Sequence, residues 1–231
     1  MNLLLNYMNQ RLAEKPPEVR TDPGPVITIS RECGCGARSI AKELALQLSQ
    51  KCSTPGSKVE WRWIDKEILE QSANKMNLGT SIVNRVLTDK ERGTIDEILS
   101  AMSSRSFKTD KKILHTTFNV IRSIAVDGHV IIIGRGGVIA SRDIPRSLHV
   151  RFEAPEEWRI EAMMRMRLFT HTEAKKYIRE QDESRKRFHD KVLCGETSCN
   201  LLYDAIINRS RFSEAEIVKF MLQMAEIKGI C

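Results

Sequence analysis

The stretch VITISRECGCGARSIAKELALQL, residues 26–48, constrains the fold more than any other part of the chain. Val26 to Ser30 is a short β-branched run suited to a central strand. Small residues follow, with Gly34 and Gly36 alternating with cysteines. From Arg38 the period changes, and Ile40, Leu44 and Leu48 share one face of a helix predicted to run to Gln50. A strand that breaks on glycines and restarts as a helix brings backbone N–H groups and a helix N-terminus to one point. That point is an anion seat.

The phosphate-loop pattern G-x-x-x-x-G-K-[ST] is approached there and not met. Arg31 stands at its first glycine, Gly36 at its second, Ala37 where the lysine belongs and Arg38 next. With one residue more than the strict pattern, Ser39 falls in the hydroxyl neighbourhood. Ala37 and Cys35 are small enough to leave the backbone path open, although alanine takes positive φ less freely than glycine.

Beyond residue 50 the turn CSTPGSK leads to VEWRWID, where Val59, Trp61 and Trp63 alternate as in a strand, and KEILEQSANKM reads as a helix. Residues 77–126 are helical and polar in pattern, an insertion placed to lie over a site. HVIIIGRGG is a buried strand ending in a second glycine turn. RSLHVRFEAP is another strand, with Pro155 at the start of the helix PEEWRIEAMMRMRL. HTEAKKYIREQDESRKRFHDKVL gives one charged helix or a pair, YDAIINRS a last strand, and FSEAEIVKFMLQMAEIKG a closing helix capped by Ser213. Apolar strands alternating with helices indicate an α/β fold with a parallel sheet covered on both faces. Residues 1–25, an amphipathic start and then a proline-rich linker, precede a domain predicted over 26–231.

The net charge of +7 favours an anionic partner. No basic tail or aromatic-interleaved basic run accompanies it, which argues against nucleic acid. No run approaches a membrane span, and MNLLLNYMNQ has neither the length nor the basic flank of a signal peptide, so a cytoplasmic protein is expected. The 6 cysteines show no paired C-x-x-C spacing and are expected as reduced thiols, Cys194 and Cys199 near His189 included. His115, His129, His149, His171 and His189 have neither ligand nor triad spacing.

ITISRECGCGARSIAKELA resembles the opening of the cytidylate-kinase-like family, in which a small residue fills the lysine slot and an arginine comes next. WIDKEILEQSA, VIIIGRGG, DESRKRF and YDAIINRSRFS resemble its later blocks, in the same order. The resemblance implies a P-loop three-layer α/β fold with a helical monophosphate-binding insertion over 77–126 and a small lid over 165–190. It implies transfer of the γ-phosphoryl group of ATP, with Mg2+, to a nucleoside monophosphate, CMP or dCMP. A nucleotide-binding regulatory or interaction module with little or no turnover is the alternative.

The candidate residues follow from that frame. Gly34, Cys35, Gly36, Ala37, Arg38 and Ser39 would line the triphosphate, with Arg31 pointing into the cleft or packing on the loop. Arg38 would supply a bidentate partner for the outer phosphates, or only a surface ion pair. Ser39 is a magnesium ligand or a plain helix-start serine. Asp65 either caps the following helix or faces the acceptor nucleotide. Arg135, between glycines at a strand end, is placed for phosphate contact, with structural pairing as its alternative. Arg165, Arg167, Arg179, Arg185 and Arg187 crowd the lid, many of them as ordinary solvated helix charges, and Arg185, Asp182 and Arg165 are the choices for the transition state. Glu153 is a further candidate, either for holding magnesium through water or for a helix-capping or charge-pair role.

Overall fold

The computed structural model describes residues 23–65, 121–134, 136–193 and 199–231. Five parallel strands make one sheet: β1 (Val26–Arg31), β2 (Arg62–Ile64), β3 (Val130–Ile133), β4 (Ser147–Glu153) and β5 (Ala205–Asn208), in the order β2-β3-β1-β4-β5. Val26 pairs with both Val130 and Ser147, so β1 lies at the centre of the sheet. Among the described residues, the helices with both ends in view are α1 (Ala37–Cys52), α2 (Gly137–Ala140), α3 (Glu156–Arg167), α4 (His171–Leu193) and α5 (Glu214–Ile227).

Alternation along β1 sorts the core into two faces. Ile27 and Ile29 meet Ile40, Leu44 and Leu48 of α1 and Ile217, Val218 and Met221 of α5. Val26 points the other way, with Ile132, Ile64 and the buried Ile121 and Ile124 of the helical residues 121–127. Fully burying one such side chain is worth ~2 kcal/mol. Leu44, with no exposed surface, is therefore a position where truncation to Ala should cost ~2–5 kcal/mol. A third, smaller cluster joins Cys33 to Ile160 and Met163 of α3 and Ala174 and Ile178 of α4.

The expected helix from Arg38 runs over Ala37–Cys52 with its predicted face buried. Ser213 caps α5 with a full capping box, its hydroxyl and the Glu216 carboxylate serving each other's backbone N–H groups. The charged segment from His171 is one continuous helix. The strand expected across VEWRWID is shorter and covers only Arg62–Ile64. Serine hydroxyls from the end of α1 take the amides that a longer strand would use: Val59 N–H donates to Ser53 Oγ at 3.0 Å and Trp61 N–H to Ser49 Oγ at 2.8 Å.

The cysteines depart from the expectation of reduced thiols. Cys52 at the end of α1 is bonded to Cys231, 179 residues away, because α5 packs along α1 and returns the last residue to that helix's end. Lys51 and Glu226 pair beside the bridge. Among the described residues, Cys33 and Cys35 are free thiols. No helix among the described residues is long and apolar enough to cross a membrane. The helix expected over KEILEQSANKM and most of the 77–126 insertion lie outside the described residues.

Candidate functional site

The carboxyl ends of β1, β3 and β4 lie side by side, which is where open α/β sheets bind ligands. After β1 the chain turns through two glycines with positive φ, Gly34 at 91° and Gly36 at 66°. A side chain on either would be strained there. Gly36 is the N-cap of α1 and offers no side-chain cap, and the first turn holds no acidic residue. Ala37 opens the helix in helical conformation, so the loop does not ask it for positive φ.

The loop is held from two sides. Cys35 enters the main core and Cys33 enters the α3–α4 cluster. Burial raises the Cys33 thiol pKa, with Arg185 opposing, and pushes that of Cys35 up to about 12. Both stay protonated at neutral pH and are poor nucleophiles. The backbone of Cys33 is gripped at both ends: its N–H donates to Asp182 Oδ1 at 2.8 Å, and its carbonyl accepts from Arg159 at 3.3 Å. Arg159, buried in α3, also donates to Asp182 Oδ2 at 2.5 Å and to the Ala154 carbonyl at 3.0 Å, and lies 3.4 Å from Glu32. Arg185 donates to Asp182 Oδ1 at 2.8 Å.

At the helix end of the loop Ser39 Oγ lies 2.9 Å from the Gly36 carbonyl and 2.8 Å from Glu214 Oε1. Its single proton serves one of them at a time. Glu214 Oε1 also accepts from Arg209 at 3.1 Å, and the buried Arg209 guanidinium stacks over Trp158 at 5.5 Å. Arg38, the residue before Ser39, has its Nε 2.7 Å and its Nη2 2.6 Å from Oδ2 of the buried Asp65. The guanidinium that was to replace the missing lysine is thus an ion-pair partner of Asp65. Arg31 reaches sideways from β1 onto Gly134 of the second glycine turn, where a Cβ would collide with its guanidinium.

The structure therefore gathers Arg31, Gly34, Cys35, Gly36, Ala37, Arg38, Ser39, Asp65, Asp182 and Arg185 around one loop. Arg165 does not join them: it is exposed on α3 and pairs with Glu161 at 3.7 Å. Arg179 pairs with Glu183, Arg187 approaches the same carboxylate, and Arg167 covers the Tyr177 ring. Glu153 takes Arg151 at 2.6 Å. Arg135 lies outside the described residues. Sequence reasoning missed Arg159, Glu32, Glu214 and Arg209. For Arg159 a signal existed, a charged residue beside Ile160 and one turn from Met163 on a helix's apolar face.

Among solved structures, the chain is similar to an uncharacterized protein from Eubacterium ventriosum ATCC 27560, with 18% identity, a TM-score of 0.61, and coverage of 87% of this chain and 97% of that one. Shikimate kinase from Bacteroides thetaiotaomicron matches at 14% identity and a TM-score of 0.45, over 87% of this chain and 98% of its own. Shikimate kinase from Acinetobacter baumannii, in complex with shikimate, matches at 13% and 0.44, over 88% and 93%. Comparison with curated proteins found no match. The model of the cytidylate kinase-like family matches residues 26–211, a span that begins with β1 and takes in the glycine loop, Arg159, Asp182 and β5, and the chain belongs to that family.

Proposed function

We propose that the protein transfers a phosphoryl group from ATP to a nucleoside monophosphate, with CMP or dCMP as the acceptor. The observation that carries this reading is the loop after β1, where two left-handed glycines deliver the chain into a 16-residue helix with no capping side chain. Backbone donors and the positive end of α1 converge there, and a polyphosphate suits both. Arg31 and Arg185 border the loop and supply guanidinium groups for charge that spreads over phosphoryl oxygens during transfer.

Asp65 and Arg135, after β2 and β3, are the residues assigned to the acceptor. A monophosphate oxygen is already anionic, so the reaction asks for no strong base. The protonated Cys33 and Cys35 are consistent with that. No cluster of three metal-ligating side chains exists among the described residues. Mg2+ would be held by the phosphates together with Ser39 and Glu214, whose oxygens lie 2.8 Å apart at the helix end of the loop, and would neutralise phosphate charge.

One observation favours a second reading, a nucleotide-binding module with little turnover. Ala37 offers no ammonium, and Arg38 is engaged with Asp65. The two readings separate on mixing the protein with Mg-ATP and each nucleoside monophosphate in turn and following ADP. Monophosphate-dependent ADP, greatest with CMP or dCMP, is expected. Calorimetric binding of ATP with no such turnover would select the second reading.

A further inference from the structure

We propose that Arg159 and Asp182 form a preset latch that fixes α4 to the glycine loop, so that Arg185 stands in place before any nucleotide arrives. Both are positioning residues, and their bearing on phosphoryl transfer rests on the reading above. The two oxygens of Asp182 receive three donors, the Cys33 N–H, Arg159 and Arg185. A carboxylate so occupied organises its neighbours and has little left to offer a substrate.

Arg159 holds the other backbone end of Cys33 through its carbonyl, so one residue of the loop is bound to α3 and α4 together. The backbone of α3 comes as close as Gly34 permits: a Cβ there would lie 2.9 Å from the Arg159 carbonyl oxygen. Cys33 fills the apolar gap between the same two helices. Three independent contacts, polar, steric and apolar, thus join α3 and α4 to the loop. Arg185, three residues after Asp182 on α4, is carried to the loop by that junction. The segment expected to swing as a lid is, through Arg185, a standing wall.

Cys33 is a reporter built into the latch, because its thiol is covered by the helices the latch holds, whereas Cys35 is covered by the main core. The test is the rate of iodoacetamide labelling of each thiol in the folded protein, read by fragment-resolved mass spectrometry. Asp182→Asn keeps the shape and removes the charge; Arg159→Lys keeps the charge and removes the fork; Arg179→Ala, on the exposed side of α4, is the control. Asp182→Asn is expected to raise Cys33 labelling about tenfold or more, with Arg159→Lys in the same direction, since local opening is governed by the contacts that close it. Cys35 labelling and the Arg179→Ala protein should remain at wild-type values. Unchanged Cys33 labelling in Asp182→Asn overturns the latch. So does a parallel rise at Cys35, which would mean general melting of the loop, or wild-type labelling of Cys33 as fast as in urea. A kinetic arm separates this from the functional reading: Asp182→Asn should lower kcat about tenfold or more with KM for ATP within about threefold, the signature of a misplaced transition-state group. Absence of turnover in the wild type would remove the kinase reading and leave the labelling result to decide the latch.

Discussion

The turn after β1 and the turn after β3 are local twins. Each delivers its strand into a helix through a left-handed glycine N-cap, Gly36 at φ 66° and ψ 25° and Gly136 at φ 68° and ψ 19°, neither with a capping side chain. Their fates differ. The first helix continues for 16 residues and the second for 4. Ile40, Leu44 and Leu48 give α1 an apolar stripe to bury, whereas α2 ends where Arg122 takes the Ala140 carbonyl at 2.7 Å and Ser141 bonds back to Gly137 at 2.7 Å. The first turn is also clamped by α3 and α4. Glycine geometry alone, then, gives both turns the same cap, and the surrounding contacts decide how firmly each is held.

That contrast can be broken most sharply at the glycines. Gly34→Ala meets both a positive φ and the backbone of α3, so it should cost ~3 kcal/mol, close to a 10 °C fall in Tm. Gly136→Ala meets a positive φ, and ~1–2 kcal/mol is expected. Gly56→Ala, at the same φ of 91° as Gly34 but with nothing within 4 Å, calibrates the backbone part of the effect. Equal losses at all three in thermal melts would mean that the clamp on the first turn adds nothing.

A smaller effect should come from acid. On its β4 side, β1 carries a buried polar pair, Thr28 Oγ1 and His149 Nδ1 at 2.8 Å; on its β3 side Thr28 faces Ile132. Burial lowers the His149 pKa to about 4, with Asp204 opposing and Lys228 reinforcing. Between there and the unfolded value of ~6.5 the unfolded chain binds a proton that the native one does not, so stability falls as the pH falls through that window. From pH 7 to 5 this group should withdraw about 2 kcal/mol, and urea unfolding of the wild type and His149→Gln at both pH values measures it. If the variant loses as much as the wild type, the polar side of β1 is not its acid-sensitive side. Smallest of all, Arg165→Ala should leave stability within ~0.5 kcal/mol and ADP formation unchanged, because its partner is an exposed Glu161. A clear loss of turnover would return Arg165 to the site and extend the first turn's surroundings along α3.

Periodicity made the frame legible. The 3.6-residue stripe of α1, the apolar runs of β1 and β3 and the Ser213 cap all report short-range physics, and each stands where the sequence puts it. The glycines of the loop were legible for the same reason. What spacing conceals is long-range pairing. Cys33 meets Asp182 across 149 residues and Ser39 meets Glu214 across 175, and no local pattern encodes either contact. The lid arginines show how hard composition makes it to tell a contact residue from a solvated helix charge. A crowded basic helix reads as a binding surface, yet Arg165 and Arg179 find their glutamates one turn away. The clipping of β2 follows from serine hydroxyls competing with the ladder, a contest that composition does not reveal.

The bond between Cys52 and Cys231 makes the chain a lariat. Its noose carries β2 to α5, while β1, the glycine turn and nearly all of α1 form the stem. A protease that cuts the noose once leaves every atom on one molecule until a reductant is added; a single cut in the stem frees a fragment at once. Paired gels, with and without reductant, would therefore report which side of Cys52 had been cleaved.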